Sequence, residues 1–335
     1  MDLKSKRLEF ADALKGFAIF LVIWGHVIQH FGGNTAGSNF FFGLIYSFHM
    51  PLFFIISGFF FQSSLKLKFT DFLHKKGMQL LYPWFLWCIL SGIYHFIVYR
   101  VYNYGTMSIF LLVFNRYFWF LRQLFASYLI AYIGYKFFKK GFWAALACIC
   151  FVIIFPFFKL QSFYLPFFLF GIFMKLHYQF IVNHLNKFII TSLIVFGVCL
   201  IFWENDYIQI FPALFSQKTF SYVLPDIPLS LYRWVIGLSG SLFFFTLFMK
   251  ISTNNKIFSY LVIKGKYTLA IYILQVLILE IILARFFSLP NHNQWVFILL
   301  ISIPLSVVLL EFCYRLALGI GKYKKLEKFL FGNAF

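Results

Sequence analysis

The sequence predicts an all-α integral membrane protein, a bundle of about ten transmembrane helices with both termini cytoplasmic. Three observations predict it: a composition foreign to soluble domains, apolar runs of membrane-crossing length along the chain, and basic residues concentrated on one side.

Of 335 residues, 62% are hydrophobic and 12% are charged, whereas a soluble domain carries about a quarter charged. A globular core cannot absorb that excess. Runs near twenty apolar residues, which at about 1.5 Å rise per residue cross a hydrocarbon layer of about 30 Å, cover 13–31, 40–62, 80–101, 117–136, 142–158, 163–177, 188–204, 229–250, 267–287 and 295–317. The run 163–177 is short and the stretch 205–228 is long, so hydropathy alone also admits nine or eleven spans.

Charge selects ten. With the N-terminus inside, Arg100, Arg116, Arg122, Lys159, Lys218, Arg233 and Arg285 fall in outer loops or outer halves of spans, and the other 22 of the 29 basic residues lie inside. The positive-inside rule then fixes orientation. The net charge of +19 becomes a topology signal, helped by anionic membrane lipid, and no nucleic-acid partner is implied. A basic stretch precedes the first apolar run, as in a signal peptide, but Lys15 and His26 interrupt the run and no small-residue cleavage site follows. It is read as a retained helix.

Cys88, Cys148, Cys150, Cys199 and Cys313 all fall in expected spans without zinc-ligand spacing. They support neither redox chemistry nor a metal. With no repeat and no Ser/Gly-rich linker, residues 1–335 read as one polytopic membrane domain, interrupted by non-membrane stretches at 63–79, 205–228 and 251–266. The middle stretch, with Asp206, Asp226, Pro212, Pro225 and Pro228 beside Glu204, is a candidate outer cap. The 53 phenylalanines are read as lipid-facing and packing residues. Any chemistry must be built inside the bundle.

An ionisable residue inside a span costs roughly 2.5 to 3.5 kcal/mol to insert, so each marks a candidate site. Lys15 and His26 are eleven residues apart, about 1100° of helical rotation, which puts them within about 20° of one face and about 16 Å apart along it. Taken singly, Lys15 reads as a snorkelling anchor and His26 as a packed histidine. Together they suit a donor with phosphates at the cytoplasmic mouth and an acyl end reaching inward, because lysine binds phosphate as a point charge and histidine is the usual general base. Coenzyme A has that shape.

His30 shares the face of His26 at i+4, a spacing that suits a metal, but no third ligand is placed and none is expected. In the second span His49, Met50 and Pro51 precede Phe53 to Phe59. Pro51 is expected to kink that helix and free a carbonyl for a cavity, and Ser57 with Gly58 to allow close helix packing. Glu280 lies near the depth of His26, Arg122 and Arg233, with Arg285 beyond it. It either orients the imidazole or pairs with an arginine.

Arg7 to His26 reads RLEFADALKGFAIFLVIWGH and Ser47 to Phe59 reads SFHMPLFFIISGF. These two segments resemble the opening of the acyltransferase 3 family of membrane-bound O-acyltransferases. The family's Arg/Lys, ten residues, His motif falls on Lys15 and His26, and its Phe-Phe-x-x-Ser-Gly-aromatic motif on Phe53, Phe54, Ser57, Gly58 and Phe59. Weaker likeness continues at Leu81 to Pro83, Trp119 to Leu121 and Thr268 to Gln275. Two departures stand out: the family's Arg-x-x-Arg is here Lys76 and Gln79, and a histidine frequent in the ninth span is Gln275.

The resemblance implies transfer of an acyl group, most often acetyl from acetyl-CoA, to a hydroxyl of an extracytoplasmic polysaccharide or lipid-linked glycan at a bacterial cytoplasmic membrane. Acyl-CoA enters as donor substrate, and no tightly bound cofactor is implied. Lys15, Lys75, Lys76 and Ser57 are then expected to hold the donor, His26 and Glu280 to carry the chemistry, and His49, Arg122 and Gln275 to meet the acceptor. His26 acts either as base or as transient acyl carrier. A transporter or flippase of a glycan or acyl intermediate is the alternative that residues alone leave open.

Overall fold

A computed structural model of the chain describes residues 9–33, 39–99, 113–114, 117–138, 141–154, 159–209, 223–251, 255–284 and 294–332. Within them each expected span falls on helix: α1 (Glu9–Phe31), α2 (Phe40–Phe59), α3 (Phe69–Lys76) running through a π turn (Gly77–Leu81) into α4 (Tyr82–Tyr99), α5 (Trp119–Phe137), α6 (Gly141–Ile154), α7 (Lys159–Leu176) and α8 (Leu185–Ile201). Then follow α9 (Val223–Lys250), α10 (Lys256–Lys266), α11 (Thr268–Gln275) continuing as a π-helix (Val276–Leu283), α12 (Ile303–Gly321) entered through a π segment (Phe297–Ser302), and α13 (Lys324–Phe331). Asn39 and Asn255 start α2 and α10 by accepting the backbone N–H of Phe42 at 3.1 Å and of Ile257 at 2.8 Å, which satisfies donors left over at a helix start.

Among the described residues, five continuous helical stretches are long and apolar enough to cross a membrane: Glu9–Phe31, Phe40–Phe59, Phe69–Val98, Pro228–Lys250 and Phe297–Gly321. A sixth candidate is the pair Lys256–Lys266 and Thr268–Leu283, bent by 76°, and shorter apolar helices cover Gly141–Cys150, Leu160–Leu176 and Leu185–Ile201. Large side chains on outward faces, such as Ile97, Ile201 and Leu300, are 66%, 76% and 71% exposed. Only lipid tolerates that surface.

The expected non-membrane stretches are partly helical. Much of 63–79 is helical (Gln62–Leu65 and Phe69–Leu81), and 251–266 is largely α10, packed along α1. Of the expected cap, Asn205–Gln209 is a 3₁₀ turn and α9 already begins at Val223. Residues 210–222 lie outside the described residues. Pro51 sits inside an α2 that continues to Phe59.

Helix α1 runs through the middle of the bundle, touching α2, α9, α10, α11 and α12. Two glycine pairs allow backbones to meet at one end. A Cβ on Gly16 would overlap the carbonyl of Leu261 and one on Gly265 that of Asp12, while Gly58 and Gly171 stand against the carbonyls of Phe168 and Ile55. In lipid, where apolar surfaces gain nothing from leaving the solvent, such close contacts supply much of the cohesion. Gly58→Leu is therefore expected to force α2 off α7, an overpacking that costs about 1 to 3 kcal/mol or more. Detergent-solubilised variant should melt well below the wild type by size-exclusion thermal shift, and an equal melting temperature would place the α2 to α7 crossing elsewhere.

The same end is tied by polar contacts. Lys264, buried in α10, meets Glu311 of α12 at 2.6 Å and lies 3.4 Å from the Tyr314 ring centroid, and Arg315 meets Glu311 at 2.9 Å. Trp87 donates to the Leu330 carbonyl at 2.8 Å, Phe331 is buried, and Gly332 at φ 64° lies under the Met78 carbonyl. That φ suits glycine, which has no Cβ to clash.

Candidate active site

Two cavities open along α1, one at each end. The first, of about 370 Å³, lies at the basic end and is lined by Lys15, Ser57, Lys76, Gln79, Tyr128 and Lys266 among others. The second, of about 640 Å³, lies toward the other end and takes in His26, His30, Tyr46, His49, Tyr164, Arg233 and Glu280. Val22, Met50 and Tyr272 line both. The cavities thus share walls at one level of the bundle, with Lys15 on one side and His26 on the other.

At the basic end Lys76 donates to Gln79 Oε1 at 3.2 Å and lies 4.0 Å from the Tyr128 ring centroid, and Lys15 Nζ is 3.4 Å from Asp12 Oδ1. Lys76 and Gln79 both line this cavity, Lys76 at the end of α3 and Gln79 within the π turn that follows it. π segments recur at functional sites because the extra residue per turn re-aims side chains. Ser57 lines the cavity while its carbonyl accepts from the Tyr128 hydroxyl at 3.2 Å, and Gly58 packs on α7. Lys75 is exposed and outside the lining. Lys266 was missed as a site residue; its only sequence signal is its place at the basic end of a span.

In the second cavity His26 Nδ1 lies 2.9 Å from Glu280 Oε1 and 3.1 Å from Gln275 Oε1. Both oxygens accept, so Nδ1 carries the proton and Nε2 is left as the basic nitrogen. Of the two readings of Glu280, the contact seen is the one with the imidazole. Gln275 and Glu280 converge because the helix turns π at Val276. In an α-helix, residues five apart point about 140° away from each other, whereas i to i+5 hydrogen bonding stacks them. His49 donates Nδ1–H to the Ile45 carbonyl at 2.7 Å, which leaves its Nε2 as an acceptor, and its ring is 4.9 Å from that of Tyr46.

Arg122 does not join this group. It lines neither cavity; its guanidinium lies 5.8 Å from the Trp84 ring centroid and Nη1 donates to the Phe114 carbonyl at 3.5 Å. Tyr46, Tyr117, Trp119, Tyr164 and Tyr272 line the cavity instead, and no spacing rule singles them out among so many aromatics. No group of three His, Cys, Asp or Glu suited to a metal occurs among the described residues.

Comparison with known proteins places the chain in a family. A family model described as an acyltransferase domain, of the acyltransferase 3 type, matches residues 8–311. Among curated proteins the chain is 41% identical over 83 residues to nodulation protein NolL of Mesorhizobium japonicum, covering 24% of this chain and 22% of the relative. It is 34% identical over 135 residues to nodulation protein NolL of Sinorhizobium fredii, covering 36% of this chain and 34% of the relative. The matched segments thus span about a quarter to a third of those relatives. No solved structure matches.

Proposed function

The chain belongs to the acyltransferase 3 family and is a multi-pass membrane acyltransferase; on that premise we propose that it moves an acetyl group from acetyl-CoA to a hydroxyl of an extracytoplasmic glycan. One observation carries the reading: the imidazole of His26, held by Glu280, faces one cavity that shares walls with a second, lysine-lined cavity at the basic end. By the positive-inside rule the basic end faces the cytoplasm, where acyl-CoA is made. Donor and acceptor then approach from opposite sides.

Lys15, Lys76 and Lys266 offer charge to the phosphates of the donor, and the acyl end extends toward Val22, Met50 and Tyr272. His26 Nε2 takes the proton of the acceptor hydroxyl as its oxygen attacks the thioester carbonyl. The carbon to sulfur bond then breaks, and the thiolate leaves toward the basic end and recovers the proton from the imidazolium. Glu280 stabilises that imidazolium through Nδ1–H. The tyrosines and Trp119 offer flat apolar faces with polar edges, which suits a sugar ring.

The test is mass spectrometry of surface glycans from cells with and without the protein; a glycan acetylated only in its presence is expected, and none would overturn the reading. The donor half has its own readout. Lys15→Gln removes a charged contact to phosphate, worth about 1.5 to 3 kcal/mol, so the acetyl-CoA dissociation constant should rise roughly ten- to a hundredfold, and wild-type affinity should fall with salt. Unchanged affinity would take Lys15 out of the donor site.

A further inference from the structure

We propose that α13 lies in the membrane interface and binds anionic phospholipid, and that this contact shapes the basic cavity for the donor. The lipid contact is independent of the proposed function, whereas its effect on the donor rests on that reading. Helix α13 follows α12, whose apolar stretch Phe297–Gly321 is long enough to cross a membrane, after Lys322 and Tyr323, so it starts where that crossing ends. At about 100° per residue, Lys324, Lys325 and Lys328 occupy one sector of the helix, Phe329 and Leu326 the next, and Leu330 and Phe331 the remainder. The lysines are exposed, Leu326 and Phe329 are 42% and 53% exposed, and Phe331 is buried. Glu327 is the helix's one carboxylate.

Cations beside an exposed apolar edge suit the headgroup layer: acyl chains take Leu326 and Phe329 while the ammonium groups reach lipid phosphates. By the positive-inside rule this end faces the cytoplasm, on the side where the leaflet carries anionic lipid. An acidic protein would also satisfy the lysines, but a helix that starts at the end of a span meets lipid first. The opposite sector of α13 reaches the basic cavity. Trp87 Nε1 donates to the Leu330 carbonyl at 2.8 Å, and Gly332 stands so close to the Met78 carbonyl that a Cβ would overlap it. Met78 belongs to the π turn Gly77–Leu81, whose Gln79 and Leu80 line the basic cavity with Lys76. Lipid that fixes α13 therefore fixes the backbone beside Gln79, and a site ordered in advance binds its ligand more tightly.

The test compares the full chain in nanodiscs of phosphatidylcholine alone and of phosphatidylcholine with phosphatidylglycerol. Amide hydrogen exchange over α13 should slow about fivefold or more when phosphatidylglycerol is present. In the triple variant Lys324→Gln, Lys325→Gln, Lys328→Gln it should not change with lipid. Equal exchange of the wild type in both membranes overturns the lipid contact. Acetyl-CoA binding, measured by calorimetry in the same nanodiscs, reads the coupling. The wild-type dissociation constant should fall about fivefold or more with phosphatidylglycerol, and the variant should keep the wild-type phosphatidylcholine value in both. Bare surface charge has the opposite sign, because an anionic membrane repels the anionic donor and would weaken its binding to both proteins. Slowed exchange without tighter acetyl-CoA binding overturns the coupling. Weaker binding by the variant already in phosphatidylcholine would place the lysines on the donor itself and overturn it too. Absence of acetyl-CoA binding in either membrane would instead sink the donor reading, with the lipid contact still judged by exchange.

Discussion

His26→Ala abolishes acyl transfer while the protein still folds and still binds acyl-CoA. Loss of a general base typically costs about 10² to 10⁴ in rate, and the donor's phosphates sit near Lys15, about 16 Å along the helix. The side chain is 18% exposed, so a structural role would show as a lower folded yield and melting temperature, whereas loss of a base alone leaves both near the wild type. Activity, donor affinity and folded yield are measured on the same preparation. Near-normal turnover by purified His26→Ala would move the chemistry to His49, which lines the same cavity, or to Glu280. Loss of transfer with retained exchange of acetyl between CoA molecules would make His26 an acceptor base and assign the acyl chain to another group.

Glu280→Gln carries the second largest expected effect, a loss of about 10² to 10⁴ in kcat with acetyl-CoA affinity unchanged. The carboxylate accepts from His26 Nδ1 at 2.9 Å, which fixes the tautomer that leaves Nε2 basic. An amide in its place can donate to Nδ1 and favour the opposite tautomer, and it does not stabilise the imidazolium. Glu280→Asp keeps the charge and should retain part of the activity, whereas Glu280→Gln should not, although both fold. Gln275→Ala, which removes the longer and neutral contact at 3.1 Å, should cost no more than about tenfold. Equal activity of the Asp and Gln variants would reduce Glu280 to a packing role.

Much of the site was legible in particular residues, and what was not failed for a local reason. Lys15 and His26 lie on one continuous helix, so their shared face follows from 3.6 residues per turn. Lys75 and Lys76 are neighbours in sequence, and adjacent helical residues diverge by about 100°; Lys76 lines the basic cavity and Lys75 is left exposed. Arg122 and Arg233 read alike as outward arginines, yet one packs on Trp84 and the other lines the cavity that holds His26. Helix rotation about its own axis separates them, and that is set by neighbours.

By itself the sequence determined the membrane class, the helical segments, and the shared face of a lysine and a histidine along α1, because each depends on composition or on the geometry of one helix. Only the tertiary structure decided that α10 is a helix bent by 76° from its successor and packed on α1, that Glu280 meets His26, and that Arg233 shares their cavity. Those outcomes depend on π segments that re-aim side chains and on glycine contacts that set how closely helices approach. The glycine contacts join segments more than a hundred residues apart in sequence, and the π segments depart from the 3.6-residue period that a sequence pattern reads.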